Sequence, residues 1–376
     1  MAKGGKYLRK NAPVKRKKGK VLSIVLIVLA VILVAAIGAG VWYYNHLLGM
    51  LTRPEDLTVP TENTMPVMET EAIETTEETV PVETSPEDTW PQIVSDENIT
   101  HIMLVGQAAR AGEEHLISDT MILCSINRET KTLTLTSLMR DMRLVWPHYV
   151  DTLGKPHSGH NRINMAYNMG YSWTKNKQDS MDVLESIVQY NFGIPVERTV
   201  EIDFDIFMTI VDVLGGVTVE LSQEEYDYMK ANYPYMDEEG VTVGVNNLGG
   251  FHALCYARMR KVGHGDYERT ERQREVITGL INNMKNMGIM DIHKLFTQIL
   301  PMITTDLSNK EITNYAFEFI PMLKDLKVQS LRIPFDDNER SVCIDGDYML
   351  EPADLKETAR RLREAIGMTE PAEVTE

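Results

Sequence analysis

Cysteine is scarce in this 376-residue chain. Cys124, Cys255 and Cys343 are odd in number and far apart, so neither a disulfide framework nor a cysteine-based metal site is implied. Cys124, inside the apolar run MILCSI, reads as a small buried hydrophobe. Familiar catalytic signatures are missing too. There is no G-x-S-x-G, no G-x-x-x-x-G-K-[ST], no G-x-G-x-x-G after a strand and no H-E-x-x-H. Serine hydrolase, P-loop NTPase, dinucleotide enzyme and zincin readings lose their main support. His148, His157 and His160 fall in a Gly- and Pro-containing stretch and read as solvated loop residues rather than metal ligands. No internal repeat is present.

Whole segments lack charge of one sign, or lack charge altogether. Residues 1–20 hold no acid and carry +9, residues 21–50 hold no charged side chain, and residues 51–97 have Arg53 as their only base and carry -12. The remaining residues carry -14, which returns the total of -17. The chain is therefore several physically different pieces.

Val21 to Tyr44 is an apolar run whose only polar group before the closing Trp42, Tyr43 and Tyr44 is the Ser23 hydroxyl. As a helix it would span roughly 36 Å, against roughly 30 Å of bilayer hydrocarbon. The run exceeds a signal-peptide h-region, so a retained anchor is expected rather than a cleaved leader. The basic residues before it place the N-terminus in the cytoplasm and everything after about residue 45 outside. The membrane accounts for the basic tail, so no nucleic-acid partner is expected. The expected organisation is a cytoplasmic tail (1–20), a transmembrane helix (21–44), an acidic Thr- and Pro-rich disordered linker (45–97) and an extracytoplasmic domain (98–376).

Within that domain, Ile99 to Val105 reads as a buried strand closed by Gly106. Thr120 to Ile126 and Thr132 to Leu138 read as a hairpin. Met181 to Tyr190 has helical spacing, Val200 to Phe204 alternates as a strand, Ile206 to Leu214 is helical, and Val217 to Leu221 is again a strand. The alternation predicts an α/β protein, an α/β/α sandwich with a mixed central sheet.

The concentration of base in an acidic domain points to chemistry. Arg258 and Arg260 alternate as on a strand end, and Arg269, Arg272 and Gln273 follow at helical spacing on a stripe continuing through Val276, Leu280 and Met284. That stripe is predicted to be buried, so its first-turn arginines point into a pocket at a helix N-terminus. Phosphate suits the bidentate fork of arginine. The competing possibility is a solvated basic face neutralised by Asp266, Glu268 and Glu271. Asp119 just before a strand, Arg140-Asp141 just after one, and Arg162 with Asn164 are further candidates, because ligands collect at strand ends.

Taken together, IMLVG, SDTMILCSIN, TKTLTLTSLMRD, RINMAYNMG, VDVLGGVTVEL, LGGFHALCYARMRK and DYERTERQRE resemble the LytR-CpsA-Psr family of extracytoplasmic glycopolymer transferases. The motifs run from about residue 98 to 285, and among the residues after 285 TTDLS is also family-like. The resemblance implies transfer of a glycopolymer from a polyprenyl-pyrophosphate carrier to a peptidoglycan hydroxyl, releasing polyprenyl phosphate. It implies Asp119 as a Mg²⁺ ligand and Arg140, Arg162, Arg258, Arg260, Arg269, Arg272 and Gln273 around the pyrophosphate. Arg140, Asp141, Arg269 and Arg272 are the implied catalytic group, and Arg140→Ala or Arg272→Ala is expected to stop transfer with the fold intact.

The sequence departs from the family pattern at three positions. Ala108 stands where a second metal carboxylate is usual, Ile117 where an Arg precedes Ser-Asp, and Met139 where a Pro precedes Arg-Asp. Ala108 weakens the expected magnesium site and keeps open an alternative, a catalytically weak polyprenyl-lipid-binding scaffold or envelope regulator of the same fold.

Overall fold

The computed structural model describes residues 46, 48–51, 53, 93–107, 118–234, 236, 239–344 and 346–368. The chain divides into Met1–Gly49 and Met50–Glu376, and the second unit carries the fold. The expected tail and transmembrane helix, and most of the expected linker, lie outside the described residues. Among the described residues no helix is long and apolar enough to cross a membrane. At the described linker positions, Leu51 is buried and Arg53 donates to the Leu307 carbonyl and to Asn309 Oδ1.

Five strands come first: β1 (Ile99–Gln107), β2 (Ser118–Asn127), β3 (Thr132–Leu138), β4 (Arg143–Val150) and β5 (Pro156–Arg162). Next come α1 (Asn164–Thr174), α2 (Lys177–Phe192), β6 (Arg198–Ile202), α3 (Phe204–Val213), β7 (Val217–Leu221), α4 (Gln223–Asn232) and β8 (Gly244–Leu248). The last third holds α5 (Gly250–Arg258), α6 (Asp266–Lys285), α7 (Ile289–Ile299), β9 (Thr304–Thr305), α8 (Asn309–Met322), β10 (Lys327–Ile333), β11 (Glu339–Ile344), β12 (Asp347–Pro352) and α9 (Leu355–Ile366).

The central sheet has the order β10-β3-β2-β1-β6-β9. Strands β1 and β6, and β10 and β3, pair in parallel, while β1–β2, β2–β3 and β6–β9 pair antiparallel, so the sheet is mixed as expected. The β2–β3 turn is fixed by Asn127 Oδ1, which accepts from the backbone N–H groups of Glu129 and Thr130 at 3.0 Å each.

Alternation along the strands sends side chains to two different cores. Met103, Val105, Met121 and Leu123 join Tyr167 of α1, Leu184 and Ile187 of α2, and Leu362 of α9. From β2 and β3, Ile122, Leu133 and Leu135 instead meet Ile277 and Ile281 of α6. A third cluster gathers β7 and β8 with α5 and the opposite flank of α6, through Val217, Leu248, Tyr256 and Val276. The strand at Val217–Leu221 therefore forms, but in a two-stranded sheet with β8.

His148, His157 and His160 lie on β4 and β5, which pair as an antiparallel hairpin, rather than in a loop. His157 bonds Asp151 at 2.9 Å and stacks on Trp173 with ring centroids 3.5 Å apart.

Candidate anion-binding site

A break in sheet register delivers Asp119 to the site. Strands β1 and β2 pair regularly up to Gly106 opposite Thr120, and then Gln107 faces Ser118, leaving Asp119 as an extra residue on its strand. Such a bulge re-aims a side chain. Gly106 permits the close approach, since a Cβ there would stand 2.9 Å from Cβ of Thr120.

Three guanidiniums converge on the Asp119 carboxylate. Arg140, just past the end of β3, places Nη1 2.9 Å from Oδ1, and Arg260, in the turn after α5, places Nη2 2.9 Å from Oδ2. Arg269, on the first turn of α6, stands 3.9 Å away and also donates to the Asp119 carbonyl at 3.2 Å. The same three share Asp266, which opens α6: Arg140 at 2.5 Å, Arg260 at 3.4 Å and Arg269 at 3.2 Å. The three guanidiniums gather at the N-terminus of a 20-residue helix whose dipole has the same sign.

Ionisation follows from this packing. Burial opposes charge on Asp119, but the hydrogen bond from Arg140 and the charges of Arg260 and Arg269 outweigh it and hold its carboxyl below the usual range. Burial likewise opposes charge on Arg140, and Asp119, Asp266 and Asp141 reverse the effect and raise its pKa. Arg269, 2% exposed, is pulled down to about 10 by burial, despite Asp266. It stays charged at neutral pH, and its Nε has no protein partner.

A second ring of residues flanks the cluster. Asp141 stands 3.5 Å from Arg140 and 3.9 Å from Arg162. Arg162 donates to the Tyr348 carbonyl at 3.1 Å. Asn164 opens α1 and donates its backbone N–H to the Arg140 carbonyl at 3.2 Å.

The other candidates are placed elsewhere. Arg258 and Arg260 do not alternate on a strand. The segment from Gly250 to Arg258 is helical, because His252, Ala253, Cys255 and Tyr256 recur at helical spacing on its buried side, and Met259 turns to an extended backbone. The two arginines therefore part, and Arg258 lies over the Phe204 ring at 4.4 Å from its centroid. Arg272 is 4% exposed and buried as expected, but its bonds go to partners other than Asp119 and Asp266. Its Nε meets Glu225 Oε1 at 2.7 Å, while Nη1 and Nη2 donate to the carbonyls of Met259 and Val262 at 3.1 and 3.3 Å. It thereby fixes the turn that carries Arg260. Gln273 donates to the Ala257 carbonyl at 3.4 Å.

Sequence reasoning places Asp266 only among the neutralising surface acids, yet it is the second hub of the cluster. Its signal is its position at the first residue of a helix whose next turn carries Arg269. Arg274 is absent from the sequence candidates. It is 7% exposed and donates to Ser330 and Ser137 at 2.6 Å each, tying α6 to β10 and β3, and burial lowers its pKa to about 10. The spacing Arg274, Ile277, Ile281 marks it as part of a second, sheet-facing stripe.

Among the described residues no group of three or more His, Cys, Asp or Glu side chains is placed to hold a metal ion. Asp119 and Asp266 fit magnesium only in the mode where one or two carboxylates are completed by substrate phosphate oxygens.

The guanidiniums gather at the carboxyl ends of β1 and β3 of a mixed α/β domain, an arrangement that can hold a compact anion. The chain belongs to the LytR_cpsA_psr family, whose profile matches residues 63–364. It is 28% identical over 195 residues to the polyisoprenyl-teichoic acid–peptidoglycan teichoic acid transferase TagV of Bacillus subtilis (strain 168), covering 50% of this chain and 45% of that one. It is 29% identical over 221 residues to TagU, of the same transferase name, from Enterococcus faecalis (strain ATCC 700802 / V583), covering 57% and 63%. The chain thus spans about half to two thirds of the length of these relatives. The crystal structure of B. subtilis TagT shares the fold with a TM-score of 0.52 at 23% identity, over 72% of this chain and 92% of that one.

Proposed function

We propose that this chain is a membrane-anchored phosphotransferase that moves a glycopolymer from a polyprenyl-pyrophosphate carrier to a peptidoglycan hydroxyl, releasing polyprenyl phosphate. The α/β/α domain would stand outside the cell on a single anchor at residues 21–44, with the N-terminus in the cytoplasm. The observation that carries the reading is the convergence of Arg140, Arg260 and Arg269 on Asp119 and Asp266 at the start of a helix.

Phosphoryl transfer is mostly positioning and charge stabilisation. The acceptor hydroxyl oxygen attacks the phosphorus next to the glycan, and the bond from that phosphorus to the oxygen bridging the two phosphoryl groups breaks. The electron pair leaves with polyprenyl phosphate. Arg140, Arg260 and Arg269 would bind the diphosphate and take up charge as it develops on the departing group. Arg272 holds the Arg260 turn in place. Asp141, beside Arg140 and Arg162 at the edge of the cluster, is the carboxylate to which we assign the hydroxyl proton. Magnesium, held by Asp119 with substrate phosphate oxygens, would supply further neutralisation of the phosphoryl charge.

The test uses the purified full chain with magnesium, a polyprenyl-pyrophosphate-linked glycopolymer and peptidoglycan. Release of polyprenyl phosphate with polymer joined to peptidoglycan, lost in Arg140→Ala, is the expected result. Tight lipid binding without any release would refute the enzyme and favour the lipid-binding scaffold, which Ala108 supports.

A further inference from the structure

The hairpin of β11 and β12 lies beyond the stretch of family-like motifs, yet it is fastened to the rim of the site. Leu350 donates its backbone N–H to the Asp141 carbonyl at 3.0 Å, and Arg162 donates to the Tyr348 carbonyl at 3.1 Å. Glu351 pairs with Arg143 of β4 at 2.7 Å, and Glu339 accepts from the Tyr267 hydroxyl, beside Asp266, at 2.9 Å. These bonds fasten the hairpin to Asp141, Arg162 and the start of α6. On that mount Tyr348 is 76% exposed. A tyrosine left in water adds little to the core, whereas an apolar ring with a polar tip on a fixed backbone is suited to recognition.

We propose that Tyr348 is an acceptor-binding residue, its ring a stacking surface for a pyranose of the acceptor glycan. The proposal rests on the transfer reading and names the side of the site from which the acceptor enters. A pyranose presents a C–H face that packs on an aromatic ring and an edge of hydroxyls that hydrogen-bond. A sugar seated on Tyr348 lies on the Asp141 and Arg162 side of the cluster, so its hydroxyl approaches the guanidinium-held diphosphate past the carboxylate assigned its proton. The division of labour is chemical: charge selects the donor's diphosphate, and a neutral aromatic surface selects the acceptor sugar.

The experiment measures binding of a soluble peptidoglycan glycan fragment, alternating N-acetylglucosamine and N-acetylmuramic acid, to the full chain in detergent by titration calorimetry. No donor is present. Expected is binding that weakens about tenfold in Tyr348→Ala, the scale of an aromatic stacking contact, and is retained in Tyr348→Phe and Tyr348→Trp. In the complete reaction the change falls on the acceptor KM, with the donor KM as internal control. Equal binding by wild type and Tyr348→Ala, or no binding by wild type, overturns the proposal. If transfer proceeds while fragment binding ignores Tyr348, the stacking role falls and the transfer reading stands. If binding depends on Tyr348 but no transfer occurs, the transfer reading falls and the sugar surface stands.

Discussion

Two buried or half-buried arginines of the same region have different jobs, and substitution separates them. Arg140 joins Asp119, Asp266 and Asp141 where a diphosphate would sit, and its removal leaves both hub carboxylates with Arg260 and Arg269 as partners. Arg140→Ala is expected to lower polyprenyl phosphate release by about 10²- to 10³-fold, the usual cost of deleting one donor to developing charge, with a nearly unchanged melting temperature. Arg272 instead satisfies Glu225 and two backbone carbonyls in a buried setting. Arg272→Ala would leave Glu225 with Ser222 as its partner and the Met259 and Val262 carbonyls without this donor, at a cost of about 2–4 kcal/mol of stability, so loss of activity there comes with loss of stability. The expectation that the fold survives is thus kept for Arg140 and dropped for Arg272. Denaturant titration of both variants beside the release assay checks the pair. An Arg272→Ala protein as stable as wild type would refute its anchoring role.

At the scale of elements, the junction of α2, β6 and β9 carries a pH dependence. Thr199 of β6 donates its hydroxyl to Glu185 of α2 at 2.6 Å and its backbone N–H to Asp306, just after β9, at 2.8 Å. Burial and then the charge of Asp306 raise the pKa of Glu185, with Asp182 adding to the effect and Arg198 opposing it. Burial also raises Asp306, against Thr199 and Arg198. A carboxyl whose pKa is higher folded than unfolded binds more protons in the native state, so stability falls as pH rises from the ordinary carboxylate range toward the folded value. Glu185→Gln is expected to flatten this decline and to raise the melting temperature on the alkaline side, read by thermal melts across neutral pH. An unchanged pH profile would refute the assignment. Asp306 belongs to TTDLS, legible as a motif, but its proximity to Glu185 was not, because the pairing is made by chain crossing rather than by spacing. The same distinction runs through the fold. The β2–β3 hairpin, α2, α3 and the burial of Arg269 followed from local period. The helix ending at Arg258 and the second stripe through Arg274 also carry a helical spacing, whereas Asp266 as a hub and the rim hairpin depend on which surface lies opposite.

For the whole molecule, the charge segregation read from the sequence makes one further prediction. The domain carries -14 while three guanidiniums are gathered at one place in it, so bulk charge repels anions at long range while contact charge binds them within a screening length of about 8 Å. The first 20 residues carry +9, directly before an uncharged run long enough to cross a bilayer. Basic residues resist translocation, so this asymmetry would fix the tail inside and the acidic remainder outside, where peptidoglycan is. In wall-stripped cells, an external protease is expected to remove a C-terminal tag and spare an N-terminal one. Replacing Lys15, Arg16, Lys17, Lys18 and Lys20 by Gln should yield a mixture of orientations, with part of the N-terminal tag becoming cleavable. A C-terminal tag protected in the wild-type chain would overturn both the orientation and the proposed access of the site to its acceptor, because the arginine cluster would then sit on the side of the membrane that lacks peptidoglycan.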